Sequence, residues 1–532
     1  MIRQAEWLGT LAISILLLWA PLPYGSVTSW SEALLEVAAF ALFALALASD
    51  EAPAALRRLR WPAGALAAIA LLGAAQALAW PRSFAQALSP GHVRLFDAAR
   101  ELLGGLPESS VPLSLAPSES LRTALSFVAF AAALLAAGIA GRDRRRRRAL
   151  ALALVASALF QVLYGARRWF ARSNEIWGRE VPGTSERLRG TFVNPNHLAF
   201  FLGLALPVVF AWGWWSFRRA REETQMERRL LRVAPPIIVW LLLFAGLAFT
   251  GSRAGMIAAL AAVVAQGALL AAGEKTKRWF AAGLALAFAG LAVVALIGRQ
   301  EGFGRLLGLG GGGAGFSVRV EAWRATLHLA GRFPLFGTGL GTFREGFPLV
   351  QPADLAGTWR QAHNDPLELL ATGGAVAFAL ALVGLAALIV RLAGVLRHGR
   401  RSEDRAAALG ALGALAAAGL HELVDFSLSL PANAFAVAVL AGAAASARRS
   451  QEAHGARKDR AAVDRDDLDQ VKPGGDRERQ SEGGAGRGDE GAGESAVGAN
   501  LDHRAAGRHV ADRDLDPAGG PRGDQLPARP PF

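Results

Sequence analysis

"RDRRRRRALALALVASALFQVLYGARRW", residues 142–169, sets six arginines directly against an apolar run. The run at 149–169 is close to the roughly 20 residues that cross a bilayer as a helix. A block of arginines at one end is the pattern that holds that end in the cytoplasm. Read outward, the same unit recurs. Apolar runs fall at 7–27, 32–49, 61–80, 120–140, 149–169, 197–217, 233–250, 254–272, 279–298, 370–396, 406–420 and 432–447, about twelve expected transmembrane helices. Alternate connections (50–60, 141–148, 218–232, 273–278 and 397–405) carry 22 Lys and Arg in 49 residues, against 15 in the far longer opposite set. Both termini are therefore expected in the cytoplasm. The first run is read as a retained helix rather than a cleaved leader, since no A-x-A site follows it.

Composition agrees with an all-α polytopic membrane protein: 52% hydrophobic residues, 14 Trp and a mean hydropathy of +0.29 over 532 residues. The absence of cysteine excludes disulfides, zinc thiolates and thiol nucleophiles. A net charge of +13 would suit nucleic acid, but its placement does not. Residues 448–532 hold 15 Lys and Arg against 17 Asp and Glu, so the excess lies between the apolar runs. No nucleic-acid partner is expected. That segment, rich in Gly, Arg, Asp and Ala, is read as a disordered cytoplasmic tail following a membrane domain at 1–447.

The outer side holds segments at 81–119 and 170–196 and a loop at 299–365, 67 residues long. Loops of that length are functional or unstructured. "FSVRVEAWRATLHLAGRFPLFG" reads as a helix from Ser317, its expected N-cap, to Gly331, with Arg319 in the first turn and Trp323 four residues on, placed to stack on it. "FTGSRAGM" places Arg253 in a tight outer turn, where an arginine either snorkels or faces a cavity. "RLRGTFVNPNHLAFF" gathers Arg189, Asn194, Asn196 and His197 at the mouth of a span, with helix capping the plainer reading for His197. In "RQAHNDPLELLATGG", residues 360–374, Asp365, Pro366 and Glu368 fit N-cap, N1 and N3 of a capping box. That leaves His363 unexplained, on the same face as two constrained arginines.

Other signals are discounted. "GLGGGGAG" at 308–315 lacks the G-K-[ST] of a phosphate loop, and "FGTGLGTF" is read as a tight turn. "HELVDFSLSLP", 421–431, offers His421, Glu422 and Asp425 without a second histidine at ligand spacing, so capping or support of a site is favoured over metal binding.

In order, "GTFVNPNHLAFFLGLALP", "FTGSRAG", "RVEAWRATLHLAGRFPLFGTGLGTF", "AHNDPLELLATGG" and "HELVDFSLSLPANA" resemble the O-antigen ligase and polymerase superfamily over about residues 185–445. The resemblance implies a C-type glycosyltransferase-like fold in the bacterial inner membrane with a periplasmic active site. It implies an undecaprenyl-diphosphate-linked glycan as donor, and lipid A–core, another glycan or a protein hydroxyl as acceptor. No metal or cofactor is implied. Carried over by motif, the essential histidine falls on His363 and the diphosphate-binding arginines on Arg253 and Arg319, with Arg189 a less secure match. The chemistry fits these residue types: arginine forks onto phosphate oxygens, and a neutral imidazole removes a proton. The expected reaction is a single, inverting displacement. The rival reading is a transporter or flippase for lipid-linked glycans. Such proteins place polar groups in broken helices and repeat internally, and neither feature is read in this sequence. A purely structural scaffold is the third reading.

Overall fold

Asp143 sets where the arginine-led helix begins. Its carboxylate accepts the N–H of Arg145 (2.8 Å) and Arg146 (3.1 Å), satisfying two donors that the first turn leaves free. The computed structural model describes residues 2–106, 108–181, 186–274, 281–286, 288 and 313–447. Among these the regular structure is helical apart from two short ribbons. It begins with α1 (Ile2–Trp19), α2 (Ser29–Leu47) and α3 (Ala52–Ala77). An outer segment follows: β1 (Ala79–Pro81), α4 (Arg82–Leu88), α5 (Pro90–Leu102) and β2 (Ser110–Pro112), with β1 antiparallel to β2. Next are α6 (Pro117–Ala140), α7 (Arg144–Phe170), a two-residue ribbon β3–β4 within 175–180, α8 (Pro195–Ala220), α9 (Met226–Phe249) and α10 (Arg253–Glu274). Beyond the undescribed stretch lie α11 (Gly313–Arg332), α12 (Phe343–Gly346), α13 (Asp365–His398), α14 (Ser402–Glu422) and α15 (Pro431–Ala445). The helices α2, α6, α7, α8, α9, α10 and α13 are each long and apolar enough to cross a membrane. The protein is an all-α polytopic membrane protein.

Lipid gives helices no hydrophobic reason to associate, so they rely on close contact between small residues. Alanine-rich faces of α6, α14 and α15 are buried, and α8 is the most enclosed span, with Leu198–Leu206 all buried. Gln266 of α10 donates to the carbonyls of Pro207 (3.0 Å) and Leu409 (2.8 Å), joining α8 to α14.

The structure corrects several expected boundaries. The first span stops at Trp19 rather than 27, because Pro21 and Pro23 cannot extend a helix; residues 20–27 form turns, and Thr191 Oγ1 donates to Pro21 O. The third helix starts at Ala52 and carries Arg57, Arg58 and Arg60. Of the expected span 279–298 only 281–286 and 288 are described, and they are helical. The tail, 448–532, and most of the glycine run at 308–315 lie outside the described residues.

The larger departure is in α13. Gly374 has φ 70° and ψ −174°, which breaks the helix about 14 Å from its start at 1.5 Å per residue. The sequence reading held no broken span. Backbone freed by such a break must bond to protein if it lies at membrane depth. Here residues 334–341 supply the bonds. Thr338 and Gly339 N–H donate to Ala371 O (3.0 Å) and Thr372 O (2.9 Å), while Ala375 and Val376 N–H donate to Pro334 O (2.9 Å) and Leu335 O (3.2 Å). The "FGTGLGTF" stretch is thus the patch for the break as well as a turn. A Cβ on Gly337 would lie 2.3 Å from the Thr372 carbonyl carbon, and one on Gly374 would lie 2.2 Å from Leu335 O, so two backbones meet where no side chain fits. Buried Gln76 of α3 clasps the patch, bonding Phe336 O and Leu340 N, and Ser120 of α6 donates to Leu340 O.

Gly374→Ala should destabilise the protein by on the order of 3 kcal/mol, combining left-handed strain with overpacking. Gly357→Ala shares the positive φ (86°) but has open space around it, and should cost about 1 kcal/mol. Thermal unfolding in detergent compares the two; equal losses would contradict the stitched break.

Candidate functional site

The residue before the α13 cap has an unusual backbone. His363 has φ 53°, left-handed for a side-chain-bearing residue and a conformation that must be held from outside. Asn364 rather than Asp365 is the N-cap: its Oδ1 accepts Leu367 N–H (2.9 Å) while its Nδ2 donates to Leu423 O (2.9 Å). An amide does both; a carboxylate does not. Asp365, one residue on, accepts from Ser429 Oγ (3.3 Å), and Glu368 reaches back to Ala362 N–H (2.7 Å). The cap is thus shifted by one residue, and because Glu368 bonds the N–H of Ala362 rather than that of Asn364, the expected capping box is not formed.

Helix α11 holds two segments together. Trp323 Nε1 donates to Ala362 O (3.0 Å), beside His363, and Arg319 Nη1 donates to Val424 O (2.9 Å), beside Asp425. The helix starts at Gly313, so Ser317 lies inside it and Arg319 sits in the second turn, away from the free amides expected beside it. A lone serine does not stop a helix that no proline interrupts.

The result is a cluster drawn from distant parts of the chain. His363 Nδ1 lies 4.0 Å from Asp425 Oδ1, and Asp425 Oδ2 lies 3.8 Å from His421 Nε2. The Phe426 ring is flanked edge-on by His363 and His197, each with centroids 4.8 Å away. Asp425 and His421 are buried, while the His363 side chain keeps 28% of its surface exposed. His197 is therefore part of the cluster and not merely a cap; Asn194 caps α8, accepting from Asn196 N–H (2.9 Å).

Burial, and then the charge of Arg319, lower the His363 pKa, outweighing the opposing pull of Asp425. Its imidazole is thus neutral at neutral pH. Burial alone would raise the Asp425 carboxyl, but His421, His197 and the Phe426 N–H more than offset this and hold it down to about 2. Asp425 is the ionised group that the imidazole faces.

Arg253 opens α10, directly after a turn that Arg187 ties down by donating to Thr250 O (2.6 Å) and Asn196 Oδ1 (2.9 Å). The first turn of α10 packs through Gly255 on Ala199 of α8, two residues from His197. The mouth of α8 thus stands between the Arg253 turn and the His363 cluster. Arg189 is 4% exposed and directs its donors to Asn174 Oδ1 (3.1 Å) and Val193 O (3.5 Å), within its own outer segment. The sequence reading singled out Arg189 and missed its neighbour Arg187. In an extended "RLR" residues two apart share a face, so the pattern does not tell the two arginines apart.

Residues 237–382 match the profile of the O-antigen ligase family. The match takes in Arg253, Arg319 and His363 and stops short of Arg189, His197 and Asp425. No curated protein matches the chain. The family match supports an O-antigen ligase-type glycosyltransferase role in general.

Peptide-resolved modification of His363 by diethyl pyrocarbonate, which needs neutral imidazole, should show a midpoint below pH 6.5. Arg319→Gln removes a lowering influence, so the midpoint should rise. A wild-type midpoint at or above 6.5, or no rise in the variant, would contradict this electrostatic account.

Proposed function

We propose that this O-antigen ligase-type protein transfers a glycan from an undecaprenyl-diphosphate-linked donor to an acceptor hydroxyl, of lipid A–core or another glycan, on the periplasmic face of the inner membrane. The observation that carries this reading is His363: strained, pinned on both sides and held neutral, at the end of the bundle that also presents Arg253 and Arg319. A glycosyl diphosphate already contains its leaving group, so the enzyme needs to hold anionic charge and remove one proton. In the proposed step His363 takes the acceptor hydroxyl proton as its oxygen attacks the anomeric carbon. The bond to the lipid diphosphate breaks, and the charge it leaves with is held by Arg253 and Arg319. One displacement inverts the anomeric configuration. No step in the scheme calls on a metal. Asp425 faces the imidazole and stabilises the imidazolium that forms.

The broken α13 is a feature shared with transporters. Its freed backbone groups are bonded to residues 334–341, which favours a structural role for the break over an ion or substrate site.

The test is transfer by purified protein from an undecaprenyl diphosphate donor in the presence of EDTA. His363→Ala should keep donor binding and lose about 10²–10⁴-fold in turnover. Arg253→Ala and Arg319→Ala should each weaken turnover by about 10²–10³-fold, with donor affinity also falling. Equal turnover by wild type and His363→Ala would overturn the mechanism. Movement of lipid-linked glycan across vesicles without transfer to any acceptor would favour the transporter.

A further inference from the structure

The opposite, arginine-rich end of the bundle contains a second built feature. A cavity of about 290 Å³ lies among α1, α7, α8, α14 and α15. Its walls are apolar: Leu17, Leu154, Val155, Val208, Ala436 and Val439 line the deep part. From Arg144 to Val155 it follows α7 for about 16 Å, at 1.5 Å per residue. That is close to half of the roughly 30 Å hydrocarbon core, the depth of one leaflet. Its flank is open where Leu152 is 49% exposed.

The mouth of the cavity is cationic. Arg144, Arg148 and Arg219 all converge on one carboxylate, Glu403, at 4.0, 2.9 and 3.5 Å. The three guanidinium side chains remain 44–52% exposed, whereas Glu403 is 14% exposed. Neighbouring Arg147 is taken by Asp404, and the first free amides of α7 by Asp143, so neither competes at the mouth. Arg148 and Arg219 lie over the Trp215 ring, 4.9 and 5.5 Å from its centroid, which fixes both at the rim. Three positive charges against one negative leave an excess of two, directly above an apolar slot of leaflet depth.

We infer that this cavity is a binding site for an anionic phospholipid of the leaflet on the arginine-rich side, with an acyl chain in the slot and the phosphate against Arg144, Arg148 and Arg219. A free phosphate would use the rim and leave the slot unexplained; a zwitterionic lipid would fill the slot without answering the charge excess. The site lies at the other end of the bundle from His363 and is independent of the transfer chemistry proposed there.

Native mass spectrometry of the full-length protein tests it, with dioleoylphosphatidylglycerol and dioleoylphosphatidylcholine as probes. The first phosphatidylglycerol should bind about tenfold more tightly than phosphatidylcholine. Arg144→Gln/Arg148→Gln should bring it down to the phosphatidylcholine level, and Glu403→Gln, which removes the one opposing charge, should tighten it. Ala407→Trp, filling the slot, should weaken both lipids; if that variant does not fold, the rim variants still decide the matter. Equal binding of the two lipids, or an undiminished preference in the double arginine variant, overturns the proposal. Displacement of phosphatidylglycerol by inorganic phosphate would reduce the site to one for a free anion and also overturn it.

Discussion

A polypeptide inside a membrane has nowhere but itself to place its backbone hydrogen bonds, and at Gly374 this chain gives up a helix and must replace what it loses. The replacement comes from residues 334–341, whose backbone bonds both sides of the break. Much of the candidate site follows from that arrangement. The patch connects directly to the end of α11, and α11 pins Ala362 and Val424, the residues flanking the functional pair. On its other side the patch is clasped by Gln76 and Ser120, which tie the first half of the chain to the same centre. His92 of the outer segment, fully buried, sets its ring 4.8 Å from Phe333, at the root of the patch. A helix broken in this way is more rigidly placed than a free one, and rigidity is what a reaction centre requires of its supports.

On that scaffold the electrostatics are divided between two groups. His363 is kept neutral by burial and by Arg319; Asp425 is kept charged by His421, His197 and a backbone N–H. The two lie 4.0 Å apart, outside hydrogen-bond range but close enough for charge to matter. A base of this kind is weakly held before reaction and strongly stabilised once protonated, which is the asymmetry that transition-state stabilisation demands. Phe426, between His363 and His197, spaces the rings and limits the water that would otherwise screen the pair.

Much of this was legible in the residues. Apolar length located the seven long spans found among the described residues, because the length of an apolar run is a local property of the sequence. Arg253 and His363 stood out because turns and caps explained their neighbours but not them. The break at Gly374 was not legible: a Gly-Gly pair inside an apolar run reads as helix, and what stabilises the alternative lies some forty residues earlier. Nor was the convergence of Asp425 and Phe426 on His363, since sequence separation hides contacts made through α11. The shift of the cap from Asp365 to Asn364 turned on a single donor to Leu423, a partner beyond the reach of local pattern. Arg187 and Arg189, two residues apart, differ in their partners, Thr250 and Asn196 against Asn174 and Val193, which no local pattern foretells.

The most direct test of the central claim is a cryo-electron microscopy structure with a non-transferable phosphonate analogue of a polyprenyl diphosphate glycan. The account predicts the diphosphate group between Arg253 and Arg319, with the anomeric carbon facing the open edge of the His363 ring. A diphosphate bound away from both arginines, or a sugar whose anomeric carbon no path connects to His363, would contradict it.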